Sequence, residues 1–101
     1  MKICLVGCGK MGSSLLEGWS RLGLIREILI IEPNQNNIPK ELIRIKKFNF
    51  YNDLKKIENS KTFDIAVLAV KPQIMKDVVI QLFKLNIKSN AWLSIAAGLT
   101  V

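Results

Sequence analysis

The chain of 101 residues is long enough for one compact domain and too short for two, and half of its residues are hydrophobic, so it can bury a core. Its longest apolar run, 65–70, is far shorter than the roughly 20 residues that span a bilayer. Gly7 interrupts the apolar N-terminus before a signal-peptide core can form. We therefore expect a soluble, cytoplasmic protein with no membrane partner.

The net charge of +7 is compatible with a nucleic-acid partner, but the lysines are dispersed and no arginine-rich run is present. Nucleic-acid binding rests on the charge alone, and we expect none. The chain has no histidine, and an extended segment should hold Cys4 and Cys8 further apart than the ~7 Å that a disulfide allows. We therefore expect free thiols, no metal site and no Ser/His/Asp or Cys/His catalytic set.

The first half of the chain predicts two strands around a helix. The first strand covers 2–6, and the second, which is β-branched, covers 27–31 and ends before Pro33. Between them, apolar residues recur at helical spacing: Met11, Leu15, Leu16, Trp19 and Leu22. Gly23 is the expected left-handed residue at the end of this helix. A polar, turn-like stretch follows, and then a short strand is predicted at 43–45.

The second half continues the alternation. Asn52 is predicted to cap a helix over 52–58. Asp64 opens a predicted strand that is continuously apolar over 65–70, which indicates that both of its faces are covered. Pro72 fits the first turn of a helix whose apolar residues recur at i, i+3, i+4 and i+7: Met75, Val78, Val79 and Leu82. A last strand, with Trp92 in the core, is predicted at 91–95.

Strands that alternate with helices predict an α/β fold of Rossmann type, with a doubly wound, mainly parallel sheet in three α/β/α layers. We expect a single domain over 1–101.

The strongest motif is Gly7-Cys8-Gly9-Lys10-Met11-Gly12, which follows the first strand, opens the first helix and predicts that the domain binds a dinucleotide. In this context the first glycine permits a tight turn, the second lets a pyrophosphate approach the backbone, and the third lets the helix pack on the strand. A glycine turn without a ligand is the alternative.

An acid marks the end of the second predicted strand. Glu32 lies twenty positions after Gly12, where a dinucleotide site places the carboxylate that binds the adenosine ribose hydroxyls. A carboxylate there also repels a 2′-phosphate, so Glu32 favours NAD over NADP. The alternative is a solvated acid at a strand end.

Two further segments leave the carboxyl ends of strands, where open α/β sheets bind ligands. The first is Ala69-Val70-Lys71-Pro72-Gln73, whose backbone is expected to line the nicotinamide side and whose lysine can reach a ribose or phosphate. The second is Ser94-Ile95-Ala96-Ala97-Gly98, whose small residues allow close approach of a flat ring. The alternative for the first segment is an exposed lysine before a proline that starts a helix. The alternative for the second segment is simple tight packing of its small residues.

With these three motifs, and with Leu99-Thr100-Val101 after the third, the chain resembles the N-terminal domain of the pyrroline-5-carboxylate reductase family. The glycine motif is shared with many β-hydroxyacid dehydrogenases, whereas the other two at this separation are specific. The resemblance implies NAD(P)H-dependent reduction of the C=N bond of 1-pyrroline-5-carboxylate to proline, in proline biosynthesis. It implies cofactor contacts at Val6, Gly7, Cys8, Gly9, Lys10, Met11, Gly12, Glu32, Asn52, Ala69, Val70, Lys71, Pro72, Ile95, Ala96 and Ala97.

The chain departs from this family in two respects. Many members carry a small polar residue at the position of Glu32 and often use NADP. The family's C-terminal helical domain, which forms the dimer and most of the substrate pocket, is absent from the 101 residues. We therefore expect a truncated enzyme that binds the dinucleotide without turnover and needs the missing domain for substrate binding and oligomerisation. No catalytic residue is assigned.

Two alternatives stay open. One is a stand-alone dinucleotide-binding module without catalysis. The other is a different Gly-x-Gly-x-x-Gly reductase, such as a β-hydroxyacid dehydrogenase or a deazaflavin-dependent NADP reductase.

Overall fold

The computed structural model describes residues 1–7, 9–21, 23, 25–34, 36, 38–57 and 61–95, without the side chains of 9–11. The described strands are β1 (Lys2–Val6), β2 (Glu27–Ile31), β3 (Phe48–Tyr51), β4 (Thr62–Leu68) and β5 (Lys88–Ser94). The described α-helices are α1 (Gly9–Ser20), α2 (Lys40–Ile43) and α3 (Pro72–Lys84), and Leu54–Lys56 form a 3₁₀ turn.

The strands form one parallel sheet in the order β3-β2-β1-β4-β5, with β1 at its centre. The chain moves outward from β1 through β2 to β3, then crosses back to β4 on the other side of β1. This is the strand order of doubly wound nucleotide-binding folds, and the reversal between β1 and β4 is their topological switch point. The predicted Rossmann-type sheet is confirmed.

The register aligns the carboxyl ends of the inner strands. Val6, the last residue of β1, pairs with Ile31 on one side and with Leu68 on the other. Ile31 in turn pairs with Tyr51 at the end of β3. Four neighbouring strands therefore end level, and the segments that follow them meet at one edge of the sheet.

Alternate side chains of β1 enter two separate cores. Leu5 is fully buried with Leu16 of α1 and Leu42 of α2 on one face of the sheet. Cys4, on the opposite face, belongs to the core that contains Leu82 of α3 and Leu54 of the 3₁₀ turn. Helices thus cover both faces, which accounts for the uninterrupted apolar runs 3–6, 28–31 and 65–68 within β1, β2 and β4.

The predicted strand at 43–45 is wrong. Residues 40–43 form the short helix α2, in which Leu42 is buried and Ile43 is 53% exposed. The strand lies later, at Phe48–Tyr51, where the aromatic side chains alternate with Asn49. The rings of Phe48 and Phe50 meet edge to face at 6.2 Å. Ile43-Arg44-Ile45 shows the same alternation of apolar and polar residues, so periodicity alone did not distinguish the two segments.

Two helix boundaries also differ from prediction. Helix α1 ends at Ser20, so Gly23 is not the residue that follows its last turn. The helix predicted at 52–58 is the 3₁₀ turn, and its cap is Asp53 rather than Asn52. The carboxylate of Asp53 accepts a 3.0 Å hydrogen bond from the backbone N–H of Lys55. Because Asp and Asn are equally good caps, the sequence did not show which of the adjacent residues Asn52 and Asp53 caps the turn.

Helix α3 begins at Pro72, as predicted, and ends in a left-handed residue. Asn86 has φ 55°, and the N–H of Ile87 donates to the carbonyl of Leu82 at 3.1 Å. This is the hydrogen bond of a Schellman motif, in which the left-handed residue is usually glycine. The motif turns the chain from α3 into β5.

The outer strand β5 is the least covered part of the sheet. Within the described residues it pairs with β4 alone. Trp92 is 46% exposed and Leu93 is 53% exposed, so the prediction that Trp92 is a core residue is wrong. An apolar groove of about 270 Å³ runs between β5 and α3, lined by Leu68, Val79, Leu82, Phe83, Ile87 and Trp92.

Candidate dinucleotide-binding site

The turn after β1 requires glycine at its first position. Gly7 has φ 88°, in the region that side chains with a Cβ avoid. Its N–H donates to the carbonyl of Ile31 at 2.7 Å, which ties the turn to the end of β2. A Cβ on Gly7 would lie 2.4 Å from the backbone oxygen of Ala69. Both the backbone conformation and the space therefore demand a residue without a side chain.

The third glycine of the motif brings α1 close to β1. A Cβ on Gly12 would lie 3.0 Å from the carbonyl oxygen of Gly7 and 3.5 Å from the Leu5 side chain. The packing role predicted for this glycine thus agrees with the geometry. Because α1 begins at Gly9, its first N–H groups lie at the carboxyl end of the central strand. These groups lack partners within a helix and carry partial positive charge, as an anion site needs. Cys8 lies outside the described residues.

Glu32 is not a solvated acid. It follows β2, is only 7% exposed, and its N–H donates to the carbonyl of Tyr51 at 2.8 Å. Its carboxylate oxygen Oε2 accepts a 2.9 Å hydrogen bond from the backbone N–H of Asn34. The acid therefore organises its own loop at the carboxyl edge of the sheet. Its expected contact with a ribose stays a prediction.

A cleft of about 390 Å³ opens at this edge. It is lined by Val6, Gly7, Ile31, Pro33, Asn52, Asp53, Leu54, Val70, Ile74, Asp77, Val78 and Gln81. Four of these were predicted as cofactor contacts: Val6, Gly7, Asn52 and Val70. The cleft thus brings together the glycine turn, the segment after β3 and the loop before α3, which are distant in the sequence.

The cleft combines apolar walls with a few polar groups, as small-molecule sites usually do. Its polar side chains are Asn52, Asp53, Asp77 and Gln81, and its described lining contains neither lysine nor arginine. The uncharged and acidic lining suits hydroxyl and amino donors better than it suits an additional phosphate.

The remaining predicted contacts lie beside this cleft. Ala69 is buried, and its N–H donates to the carbonyl of Val6 at 2.8 Å. Lys71 occupies the position before α3 with its side chain exposed, and Pro72 is the first helical residue. Ile95 donates its N–H to Leu68 at 2.9 Å at the end of β5. Ala96 and Ala97 lie outside the described residues, and of Lys10 and Met11 only the helical backbone is described.

The contribution of α3 to the cleft was not predicted from the sequence. Ile74, Asp77, Val78 and Gln81 form a stripe at i, i+3, i+4 and i+7 that faces the cleft. This stripe runs beside the core-facing stripe, with which it shares Val78. Its polar members, Asp77 and Gln81, were the available signal, because they interrupt an otherwise apolar helix flank.

The described part of the chain holds no cluster of three or more metal-ligating side chains. Cys4 is a free, buried thiol, and desolvation raises its pKa to about 12, so it is not a nucleophile at neutral pH. No helix among the described residues has the length and apolarity that a membrane crossing requires.

The sequence matches known proteins. The profile of the family described as NADP oxidoreductase, coenzyme F420-dependent, matches residues 2–98. The chain belongs to this family. A curated relative, the pyrroline-5-carboxylate reductase of Pisum sativum, is 33% identical over an alignment 97 residues long, which covers 93% of this chain and 34% of the relative. The chain thus spans about a third of the length of that relative, and the resemblance drawn from the sequence motifs is confirmed. No solved structure matches this chain.

Proposed function

We propose that this chain is the NAD(P)-binding part of a pyrroline-5-carboxylate reductase. The observation that carries the proposal is the glycine turn at the carboxyl end of the central strand. There Gly7 adopts φ 88°, α1 begins, and a cleft opens toward the segments after β2 and β3. The 33% identity to the pea enzyme, over 93% of this chain, supports reduction of pyrroline-5-carboxylate as the reaction.

The residues present fit a dinucleotide. The turn from Gly7 into α1 would hold the pyrophosphate, because helix N-termini and glycine turns present unpaired N–H groups to anions. The segments after β2 and β3, with Glu32 and Asn52, would hold the adenosine half. The loop from Ala69 to Pro72 and Ile95 at the end of β5 would face the nicotinamide, which supplies a hydride to the C=N carbon of the substrate.

We further propose that the 101-residue chain by itself binds the cofactor without turnover. Holding donor and acceptor at reacting distance contributes on the order of 7–11 kcal/mol to such reactions. The described residues offer a cleft for the cofactor, and the sequence contains no histidine that could protonate an imino acid. Reduction of pyrroline-5-carboxylate would then need residues that the matched third of the pea enzyme does not represent.

The chemistry of the cleft favours NAD over NADP, although the family description names NADP. Glu32 stands at the end of β2, and Asp53 and Asp77 line the cleft. A 2′-phosphate near these carboxylates would meet repulsion, and no described lining residue offers a compensating cation.

Calorimetric titration of the chain with NADH and NADPH tests the binding proposal. We expect NADH to bind and NADPH to bind at least several-fold more weakly, and failure of both to bind would refute the proposal. A steady-state assay with pyrroline-5-carboxylate and either nucleotide tests the second statement. Measurable turnover by the 101-residue chain would show that it carries a complete active site.

A second candidate is favoured by the family description, which names coenzyme F420. In this alternative the chain would belong to a reductase that passes a hydride between a deazaflavin and NADP. Titration with the deazaflavin distinguishes the candidates, because binding of the deazaflavin together with a preference for NADPH would favour the alternative. If the chain binds NADH but not the deazaflavin, and no partner polypeptide supplies a substrate site, a dinucleotide-binding module without catalysis would be favoured.

A further inference from the structure

The side of the cleft formed by α3 and the 3₁₀ turn has apolar walls. Ile74 and Val78 line it from α3, and Leu54 lines it from the 3₁₀ turn. Ile74 is 47% exposed although it faces a concavity. Apolar surface left open inside a cleft is typical of sites that take a flat ring.

The polar groups beside these walls come from the same helix. Asp77 and Gln81 are one turn apart on α3, and both line the cleft. Within the described residues the Asp77 carboxylate accepts no hydrogen bond and makes no ion pair. Its two oxygens accept hydrogen bonds and cannot donate them, whereas the Gln81 amide can do both.

A ring that fits these groups carries a hydrogen-bond donor on its edge. The exocyclic amino group of adenine is such a donor, and it lies next to a ring nitrogen that accepts a hydrogen bond. A ring with a carbonyl at that position would place its oxygen against the Asp77 carboxylate. The absence of lysine and arginine from the described lining argues against a phosphate here.

We propose that Asp77 and Gln81 recognise the amino edge of the adenine base and thereby select adenine dinucleotides over those with a carbonyl at the same ring position. Asp77 accepts a hydrogen bond from the amino group, and Gln81 donates to the neighbouring ring nitrogen. Ile74, Val78 and Leu54 cover the faces of the ring. This assignment rests on the proposed dinucleotide function and extends it to a specificity-determining pair of residues.

The test compares NADH with deamino-NADH, which carries hypoxanthine in place of adenine, by calorimetric titration of the full chain. We expect the unmodified chain to bind NADH about tenfold more tightly, because a hydrogen bond to a charged group is replaced by a repulsive contact. In Asp77→Asn the preference should fall to within about twofold, because an amide can donate to the hypoxanthine carbonyl.

Glu41→Gln is the matched control, since Glu41 is exposed on α2, which belongs to the core on the other face of the sheet. It removes the same charge and should leave the tenfold preference intact. Gln81→Ala provides a second variant. It should weaken the binding of NADH without strengthening the binding of deamino-NADH.

The outcomes separate the two proposals. If the unmodified chain binds both dinucleotides equally, the assignment of Asp77 and Gln81 is refuted while the dinucleotide function stands. If Asp77→Asn weakens the binding of NADH and of deamino-NADH by the same factor, Asp77 does not discriminate between the bases, and the assignment again fails. If neither dinucleotide binds, the proposed function and the assignment fail together.

Discussion

Gly7 and the backbone of Ala69 are in such close contact that a Cβ atom on Gly7 would lie 2.4 Å from the Ala69 oxygen. The N–H of Ala69 donates to the carbonyl of Val6, next to Gly7, at 2.8 Å. The turn that follows β1 and the loop that follows β4 are therefore held against each other at the switch point. One glycine serves both the assembly of the sheet edge and the proposed phosphate site.

Replacing Gly7 by alanine should destabilise the chain by about 2 kcal/mol or more, because the left-handed conformation and the contact with Ala69 both oppose a side chain. Thermal and denaturant unfolding measure the change, and NADH binding should be lost with it. Gly18→Ala is the control: Gly18 lies in α1 with open space around it, so alanine there should stabilise by about 0.5–1 kcal/mol. Equal effects at the two positions would contradict the argument.

Replacing Glu32 by glutamine separates its charge from its hydrogen bond. The amide oxygen can still accept from the N–H of Asn34, so the free energy of unfolding should change by less than about 1 kcal/mol. NADH should bind roughly tenfold more weakly, since a neutral group is a poorer acceptor for ribose hydroxyls. The preference for NADH over NADPH should narrow at the same time. Tighter binding of NADPH than NADH by the unmodified chain would refute this role of Glu32.

The buried thiol of Cys4 predicts a loss of stability at high pH. Its pKa is raised to about 12 from an ordinary value near 9.0, so above pH 9 the unfolded chain releases a proton that the folded chain retains. The free energy of unfolding should therefore fall as the pH rises from 9 to about 12, by up to about 1.4 kcal/mol per pH unit. Denaturant unfolding from pH 8 to 11 measures the slope. Cys4→Ala, which has no thiol to ionise, should show a shallower slope, and an identical slope would exclude Cys4 as the cause.

The left-handed residue at the end of α3 offers a test of the helix boundary. Asn86→Ala should destabilise by about 1 kcal/mol, because alanine adopts φ 55° less readily than asparagine does. Asn86→Gly should cost less than Asn86→Ala, since glycine adopts this conformation freely. Denaturant unfolding of the two variants decides the order, and a more stable alanine variant would show that the Schellman geometry does not form.

The strands could be predicted from sequence where burial on both faces left a continuous apolar run. β1 and β2 have the predicted bounds because Gly7 and Pro33 interrupt the chain just after them. The error at 43–45 arose because β-branched residues suggested a strand, whereas burial of Leu42 in a short helix outweighed that preference. Local propensity could not reveal which side chain the core would accept.

The site could be predicted only where backbone chemistry left a sequence signal. The glycine turn was visible because a positive φ and a close contact both require glycine. The cleft side of α3 was not predicted, because its polar residues Asp77 and Gln81 lie outside the three motifs that pointed to the site. Asn52 was placed in the cleft by family resemblance rather than by any local pattern, and the structure gives its expected capping role to Asp53.

The exposed strand β5 leads us to expect that self-association of the chain depends on salt. Its outer backbone groups have no partner strand among the described residues, and Trp92 and Leu93 leave apolar surface on both of its sides. Such edges adhere to one another, whereas a net charge of +7 keeps molecules apart. Because about 0.1 M salt confines electrostatic repulsion to about 10 Å, added salt should promote self-association. Light scattering at increasing salt concentrations would measure this change from monomers that repel one another to associated chains.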